Sequence, residues 1–288
     1  MTTSKIPTIT TYSSGDRQQL DDQLPRCTLK WRQGQLLVNL EQHAKQPHLP
    51  SVESDRWLVE CLQHSSVRLL RIDPAIGEAS LRFWADVCQQ ADKLAFLQVP
   101  CTQELPSKLH PLSWSLKRLI DGSVAVLLLL TLSPVMLALV ILLMRDQSSE
   151  PIFCKQWCIG ERGKLFQRLK FPTINDPHFK WLGYWMRKYS LDKLPQLFNV
   201  LRGEMSLVGP CPWSLNDAVR FSTKGRQHLN ALPGIVGASC VNLGQSKLLD
   251  LDAINLCNLE YLRSWSLWQD LKILLMTVPK VFSDLDYH

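Results

Sequence analysis

The longest apolar stretch of the chain limits its fold more than any other feature. The run from Gly122 to Met144 contains no charged residue and is interrupted only by Ser, Thr, Gly and Pro. As a helix it would be about 35 Å long, enough to cross a hydrocarbon layer of roughly 30 Å. A helix buried in a soluble protein normally keeps a polar face, which this run lacks. The sequence therefore predicts a membrane-inserted helix over residues 116–145.

A Ser133-Pro134 pair lies near the middle of this run. Proline removes one backbone donor and clashes with the preceding turn, so it predicts a bend that breaks the helix. Basic residues flank both ends, Lys117 and Arg118 before the run and Arg145 after it. Because basic flanks favour the cytoplasmic side, we expect a re-entrant helix whose two ends both face the cytoplasm. The predicted location is the cytoplasmic membrane.

The rest of the chain divides around this helix. Residues 1–26 are polar, without an apolar run, and predict a disordered leader rather than a signal peptide. Residues 27–100 predict a small α/β module, and 101–115 an aperiodic, proline-containing linker. Residues 146–288 mix polar segments with apolar, tryptophan-rich patches and predict a mixed α/β, helix-rich domain at the membrane interface.

The N-terminal module shows alternating strand and helix patterns. In order, these are a hairpin around Gly34, a helix near Trp57, a strand from Val67, a helix from Ile76 and a strand from Leu94. This alternation predicts a parallel or mixed sheet and is loosely similar to the STAS-type regulatory fold. We expect a regulatory or interaction module, although a spacer fold without its own activity explains the pattern nearly as well.

Charge and cysteine content narrow the class of protein further. The net charge of +6 suits an anionic membrane surface or phosphate-bearing substrates. No zinc-finger spacing, RNA-binding aromatic motif or continuous basic helix occurs, so nucleic acid is not an expected partner. The nine cysteines are scattered, as expected for buried apolar residues in a reducing cytosol.

Tryptophans recur at helical spacing in two C-terminal segments. Trp181 and Trp185 lie beside Arg187 and Lys188, and a second apolar set begins at Trp265. Helices with tryptophan and basic residues at their boundary are typical of the membrane interface. A core role for the same tryptophans remains the alternative.

Several motifs follow one another between residues 114 and 282, and their order is as informative as their content. They are Lys117-Arg118-Leu119-Ile120-Asp121, Ser133-Pro134, Pro151-Ile152-Phe153, Lys170-Phe171, Ser190-Leu191-Asp192-Lys193-Leu194-Pro195, Leu207-Val208-Gly209-Pro210, Pro233-Gly234-Ile235-Val236-Gly237 and Trp265-Ser266-Leu267-Trp268. Together they resemble the bacterial sugar transferase family of monotopic polyprenyl-phosphate hexose-1-phosphate transferases. That family also carries a broken membrane helix.

The resemblance implies a reaction and its residues. Asp192 would be the nucleophile, Arg187, Lys188 and Lys170 would contact substrate phosphate, and Mg²⁺ would be the cofactor, with its ligands unassigned. The implied substrates are a nucleotide-diphosphate sugar and polyprenyl phosphate, and the implied pathway is exopolysaccharide or envelope polysaccharide synthesis. Without the surrounding motifs, Asp192 would be better explained as a helix-start residue with Ser190 as its cap.

At several charged positions the chain departs from the family pattern. Lys193 replaces a glutamate, Pro172, Cys211 and Gln245 replace arginines, and Asn258 replaces an aspartate. Each lost phosphate contact removes on the order of 10²–10³ in rate, so we expect any transferase activity to be weak. The alternative is a catalytically impaired relative that acts as a membrane-docked partner or regulator of a polysaccharide assembly complex, with the N-terminal module contacting other assembly proteins.

Overall fold

The computed structural model describes residues 27–40, 54–99, 111–145, 151–172, 180–220, 231–237 and 251–283. The chain divides into two compact units. The first combines residues 1–100 with 162–165 and 213–226, and the second combines residues 101–161, 166–212 and 227–288. The first unit therefore includes two short segments from the range that the sequence analysis gives to the C-terminal domain.

The first unit is built on a mixed four-stranded sheet. Its strands lie in sequence order and are β1 (Cys27–Arg32), β2 (Gln35–Leu40), β3 (Leu69–Ile72) and β4 (Leu94–Leu97). Strands β1 and β2 are antiparallel, whereas β2, β3 and β4 are parallel. The turn after β1 has positive φ at Gln33 and Gly34, as a two-residue hairpin turn requires. The predicted hairpin and mixed sheet are confirmed, and the likeness to the STAS-type fold stays a prediction.

Two helices connect the parallel strands: α1 (Ser54–His64) and α2 (Glu78–Gln90). Helix α2 follows a 3₁₀ turn, Pro74–Ile76, so it begins two residues later than predicted. Its predicted apolar face is buried, with Leu81, Trp84, Ala85 and Cys88 at most 4% exposed. Burial raises the pKa of the Cys88 thiol to about 12, which fits the predicted role of a small buried apolar residue.

Segments from later in the chain complete this unit. Helix α6 (Leu215–Arg220), which follows the short strand β8 (Trp213–Ser214), packs on α2. Lys164 forms a β-bridge with Phe96 at the edge of the sheet. Gly163 has a positive φ of 80°, and a Cβ there would lie 2.7 Å from the carbonyl oxygen of Leu97. Any other residue at 163 would therefore force this contact apart.

The second unit contains the apolar helix α3 (Pro111–Arg145). This helix begins inside the predicted linker and continues past Pro134 as one element. The prediction that the helix is broken at Ser133-Pro134 is therefore wrong. Ser133 Oγ donates to the carbonyl oxygen of Leu130 at 2.9 Å. In a regular helix, this carbonyl would accept from the backbone N–H of residue 134. Proline has no backbone N–H, so that hydrogen bond is missing. The serine hydroxyl therefore replaces the missing donor.

Helix α3 presents a largely apolar and exposed surface. Its window of highest mean hydropathy, 2.9, is only 17% buried, and the helix is long and apolar enough to cross a membrane. Leu112, Leu119 and Leu130 are more than 65% exposed. So much exposed apolar surface marks contact with lipid or another apolar partner.

The other elements of this unit surround two buried clusters. The strands are β5 (Cys154–Ile159), β6 (Leu165–Lys170), β7 (Ser206–Gly209) and β9 (Gly234–Gly237), and the helices are α4 (Lys180–Lys188), α5 (Gln196–Leu201), α7 (Leu251–Arg263) and α8 (Leu267–Ser283). The first half of α3 joins the cluster around Val208 and Trp265. Its second half packs on Phe171, Leu182 and Met186. Both halves of the helix therefore contact the same unit.

Two of the predicted motifs meet as the parallel strands β7 and β9. A Cβ at Gly234 would lie 2.1 Å from the backbone nitrogen of Gly209, so only glycine permits this approach. The close approach of the two backbones therefore explains the glycines in both motifs, Val208-Gly209-Pro210 and Pro233-Gly234-Ile235.

Candidate active site

Asp192 lies in a 3₁₀ turn, Leu191–Lys193, between α4 and α5. The predicted helix start at Asp192 is wrong, because α5 begins at Gln196, after Pro195. The capping alternative is also wrong, since Ser190 has a left-handed backbone (φ 53°) and its side chain makes no capping hydrogen bond. Asp192 is therefore not part of α5, and another contact must hold it in place.

That contact is a direct link to strand β6. The backbone N–H of Phe171 donates to the carbonyl oxygen of Asp192 at 3.0 Å, immediately beyond the end of β6 at Lys170. Asp192 is half-buried and Lys193 is exposed. The carboxylate is therefore held next to the end of a strand that carries cations.

Lys170 lies beside Asp192. Burial is the main cause of its lowered pKa, the charge of Arg168 lowers it further, and the charge of Asp192 acts in the opposite direction. Residues 168 and 170 are two positions apart in β6, so their side chains lie on the same face of the strand. The structure thus brings together the predicted residues Asp192, Lys170 and Lys193, and adds Arg168, which the sequence analysis missed.

Asn199 fixes α5 against the same strand. Its Oδ1 accepts from the N–H of Leu169 at 3.0 Å, and its Nδ2 donates to the carbonyl oxygen of Gln167 at 2.8 Å. Nδ2 also donates to Glu204 Oε2 at 2.7 Å, and the side chain is fully buried. This residue was missed too, although an asparagine within an otherwise apolar helical run was the available signal.

The other predicted phosphate contacts have different positions. Lys188 Nζ lies 5.6 Å from the ring centre of Tyr184 and 5.9 Å from that of Trp185, in cation–π geometry. The side chain of Arg187 lies outside the described residues. Ser133 and Pro134 are exposed on α3. Lys188 therefore packs on aromatic rings in this structure, and the phosphate roles of Lys188 and Arg187 stay predictions.

The tryptophan-rich segments divide between core and surface. Leu182, Met186 and Trp265 are buried, whereas Trp185 is 46% and Trp268 72% exposed. Trp181 has a side chain outside the described residues. Each segment therefore combines core residues with an exposed tryptophan of the kind that favours a membrane interface.

The positions that depart from the family pattern are only partly described. Pro172 and Cys211 are half-buried. Asn258 is fully buried, and among the described residues neither of its side-chain polar atoms has a hydrogen-bond partner. Gln245 lies outside the described residues.

A buried ion cluster joins the start of α3 to α8. Lys117 Nζ lies 2.6 Å from Asp270 Oδ2 and 3.4 Å from Asp121 Oδ2, and donates to the carbonyl oxygen of Val208 at 3.1 Å. Lys117 is only 2% exposed. Lys117 is therefore a core residue of this unit as well as a basic residue that precedes the apolar run.

Further hydrogen bonds complete this cluster. Tyr261 Oη donates to Asp270 Oδ1 at 2.5 Å, Trp265 Nε1 donates to Oδ2 at 3.2 Å, and Ser206 Oγ donates to Asp121 Oδ2 at 2.5 Å. Burial, followed by the charge of Asp270, raises the pKa of Tyr261, so the phenol keeps its proton. An apolar cavity of about 310 Å³ adjoins the cluster, and its lining does not include Asp192.

Mg²⁺ was expected from the resemblance. Among the described residues, no group of three or more His, Cys, Asp or Glu side chains is placed to hold a metal. The charged neighbours of Lys170 near Asp192 include the cations Arg168 and Lys193. These residues do not form a magnesium site, and the ion stays a prediction.

Comparisons with known proteins agree on one family. The family model described as bacterial sugar transferase matches residues 112–284. An undecaprenyl-phosphate glucose phosphotransferase of Komagataeibacter xylinus is 36% identical over 208 residues, covering 60% of this chain and 38% of that protein. A UDP-glucose:undecaprenyl-phosphate glucose-1-phosphate transferase of Escherichia coli strain K12 is 34% identical over 204 residues, covering 64% of this chain and 44% of that protein.

One shorter relative is matched over most of its length. The uncharacterized sugar transferase EpsL of Bacillus subtilis strain 168 is 35% identical over 182 residues, covering 58% of this chain and 87% of that protein. The chain spans well under half the length of the two larger relatives. The matched region contains α3, Lys170 and Asp192, and on this basis the chain belongs to the bacterial sugar transferase family.

Proposed function

We propose that this protein transfers hexose-1-phosphate from a nucleotide-diphosphate sugar to polyprenyl phosphate, at the start of exopolysaccharide or envelope polysaccharide synthesis. The observation that carries the proposal is the half-buried carboxylate of Asp192 next to the cationic end of β6, inside the family match. The names of the relatives from Komagataeibacter xylinus and Escherichia coli support the same chemistry.

The first step forms a covalent intermediate. A carboxylate oxygen of Asp192 attacks the sugar-bearing phosphorus, and the bond from that phosphorus to the bridging oxygen breaks. The nucleoside monophosphate leaves with the electron pair, and the sugar phosphate stays on the enzyme as an acyl phosphate. A carboxylate is a weak nucleophile, but it is already ionised at neutral pH and needs no general base.

The second step releases the product. An oxygen of polyprenyl phosphate attacks the same phosphorus, and the bond to Asp192 breaks, which regenerates the carboxylate. The products are polyprenyl-diphosphate sugar and free enzyme. Lys170 stabilises the negative charge that spreads over the phosphoryl oxygens, because it is half-buried and close enough to Asp192 for their charges to interact. Mg²⁺, if bound with the substrate phosphates, would supply further charge neutralisation.

The lipid substrate requires a membrane position for this site. The exposed apolar surface of α3 and the exposed Trp185 and Trp268 support insertion into one leaflet. Packing of both halves of α3 on the same unit supports the re-entrant course, because a helix crossing the bilayer would place one half far from that unit. We therefore propose that the active site faces the cytoplasm at the inner membrane.

The alternative function is a non-catalytic membrane partner in polysaccharide assembly. Lys193 favours it, because an exposed cation stands where the family has a second carboxylate. The two functions share membrane association and differ in turnover only.

Release of nucleoside monophosphate distinguishes them. Membranes containing the full chain would be supplied with a panel of nucleotide sugars, polyprenyl phosphate and Mg²⁺. We expect slow release that Asp192→Asn abolishes. Asp92→Asn is the matched control, since Asp92 is exposed in the other unit and its positive φ of 54° suits asparagine. Release that survives Asp192→Asn would refute the nucleophile, and absence of release with every sugar would favour the non-catalytic partner.

A further inference from the structure

Arg168 has an incomplete set of hydrogen bonds. Its Nη2 donates to Gln156 Oε1 on the neighbouring strand β5. Its Nε is buried and has no hydrogen-bond partner among the described residues. A buried guanidinium donor without a partner is unfavourable, because the hydrogen bond it made to water is not replaced. The free protein therefore holds a donor that an incoming acceptor would satisfy.

The surroundings of Arg168 favour an anionic acceptor. Arg168 and Lys170 lie two residues apart on the same face of β6, so their Cα atoms are about 7 Å apart. Asp192 is the carboxylate whose charge acts on Lys170, against the positive charges of Arg168 and Lys193. Glu161 and Glu204 are engaged elsewhere, with Arg118 and Asn199. Among Lys170 and these neighbours, three cations and one carboxylate leave an excess of positive charge.

From this arrangement we infer that Arg168 binds the diphosphate of the nucleotide substrate, together with Lys170. The inference rests on the proposed function and extends it to a residue outside the motifs of the sequence analysis. A guanidinium presents a planar set of donors that matches two phosphate oxygens, which a lysine cannot do. Arg168 thereby provides an arginine on the strand that ends next to Pro172, where the family arginine is missing.

The competing explanation is structural. If Arg168 only tied β6 to β5 through Gln156, its loss would affect folding and every ligand alike. A phosphate contact instead affects ligands that carry a diphosphate and leaves the bare nucleoside unaffected. Comparing these two ligands separates the explanations.

The test measures binding to the purified full chain in detergent. UDP, GDP, dTDP and ADP are each compared with their nucleosides, for the wild type, Arg168→Gln, Arg168→Lys and Gln156→Ala. Arg71→Gln is the matched control, because Arg71 is an exposed strand arginine of the other unit. Thermal melts establish that each variant is folded. If Arg168→Gln does not fold, Arg168→Lys replaces it in the binding comparison.

We expect Arg168→Gln to weaken the best-bound nucleoside diphosphate about 10- to 100-fold, the equivalent of one charge-assisted contact. Its nucleoside should bind unchanged, Arg168→Lys should be intermediate, and Pro172→Arg should partly restore the glutamine variant. Equal losses for diphosphate and nucleoside, an equal loss in Gln156→Ala, or no loss would overturn the inference. So would a wild type that does not prefer any diphosphate to its nucleoside.

These outcomes are separable from those of the proposed function. Arg168-dependent diphosphate binding without turnover would keep this inference and refute the transferase proposal. Turnover that is insensitive to Arg168→Gln would support the transferase proposal and refute this inference.

Discussion

Lys193 sits next to the proposed nucleophile and is exposed, in contrast to the half-buried Asp192. An adjacent ammonium attracts the electron density that the carboxylate would donate to phosphorus. It also removes a carboxylate that would help to hold a divalent cation near the leaving group. We propose that Lys193 limits the chemistry, and because it lies on the surface, its substitution should cost the fold little.

We predict that Lys193→Glu raises nucleoside monophosphate release, about tenfold or more if this position alone is defective. Initial rates in membranes, each with and without Asp192→Asn, provide the measurement. Should the lost arginines also limit the rate, an increase will require Pro172→Arg, Cys211→Arg and Gln245→Arg as well. A quadruple variant that releases no more than the wild type would contradict the prediction.

Lys170 combines function with a cost to stability. Burial, and then Arg168, lowers the pKa of Lys170, so the charged form is disfavoured in the folded protein. With a lowered folded pKa, this destabilisation is fully present below the folded pKa and is relieved as the pH rises through that value towards the unfolded pKa of about 10.4.

We therefore predict that Lys170→Met raises the melting temperature at pH 7, by about 2–4 °C for each kcal/mol of relieved cost. The gain should shrink as the pH rises above 9, and nucleoside monophosphate release should fall. Melting curves at pH 7 and pH 9.5 provide the measurement, with exposed Lys155→Met as the control. A lower melting temperature at pH 7 would contradict the assigned cost.

At the scale of single elements, helix α3 shows what a local pattern can and cannot reveal. The apolar run predicted a helix long and apolar enough to cross a membrane, which is present, whereas the break predicted at Pro134 is not, because the helix continues past the proline. The start at Pro111 was missed because residues 111–115 continue the aperiodic, proline-containing pattern of the predicted linker. The ties of Asn199 to β6 and of Lys117 to Asp270 were missed because they join residues 30 or more positions apart.

The Ser133 hydroxyl makes α3 testable. We predict that Pro134→Leu restores the backbone donor and straightens the helix, and moves the flanks of the 122–144 run towards opposite sides of the membrane. Ser133→Ala should instead leave the Leu130 carbonyl without its donor and lower stability by about 1–2 kcal/mol. Labelling of single cysteines placed just before and after the run measures the topology. Labelling of the wild type from opposite sides would contradict the re-entrant course.

At the scale of the whole molecule, the compact units do not follow the predicted domain boundaries along the sequence. Strands and helices of residues 27–100 were predictable because each depends on neighbours in sequence. The contribution of residues 162–165 and 213–226 to the same compact unit was not, since nothing local to these segments indicates their partner. The N-terminal module is thus continuous in sequence but incomplete in packing.

We predict that a fragment of residues 1–105 folds but is less stable than the same residues in the full chain. Helix α2 would lose its contact with α6, and Phe96 its bridge to Lys164. Hydrogen exchange of the α2 amides, in the fragment and in the full chain, provides the measurement. Equal protection in both would show that the module is independent of these segments.

The pair between Lys117 and Asp270 also has a consequence for the order of assembly. The two residues are 153 positions apart, so α8 must be synthesised before Lys117 meets Asp270. Until then, the carboxylate within reach of Lys117 is Asp121, four residues further along α3. We therefore expect the start of α3 to reach its final packing only after α8 has been synthesised.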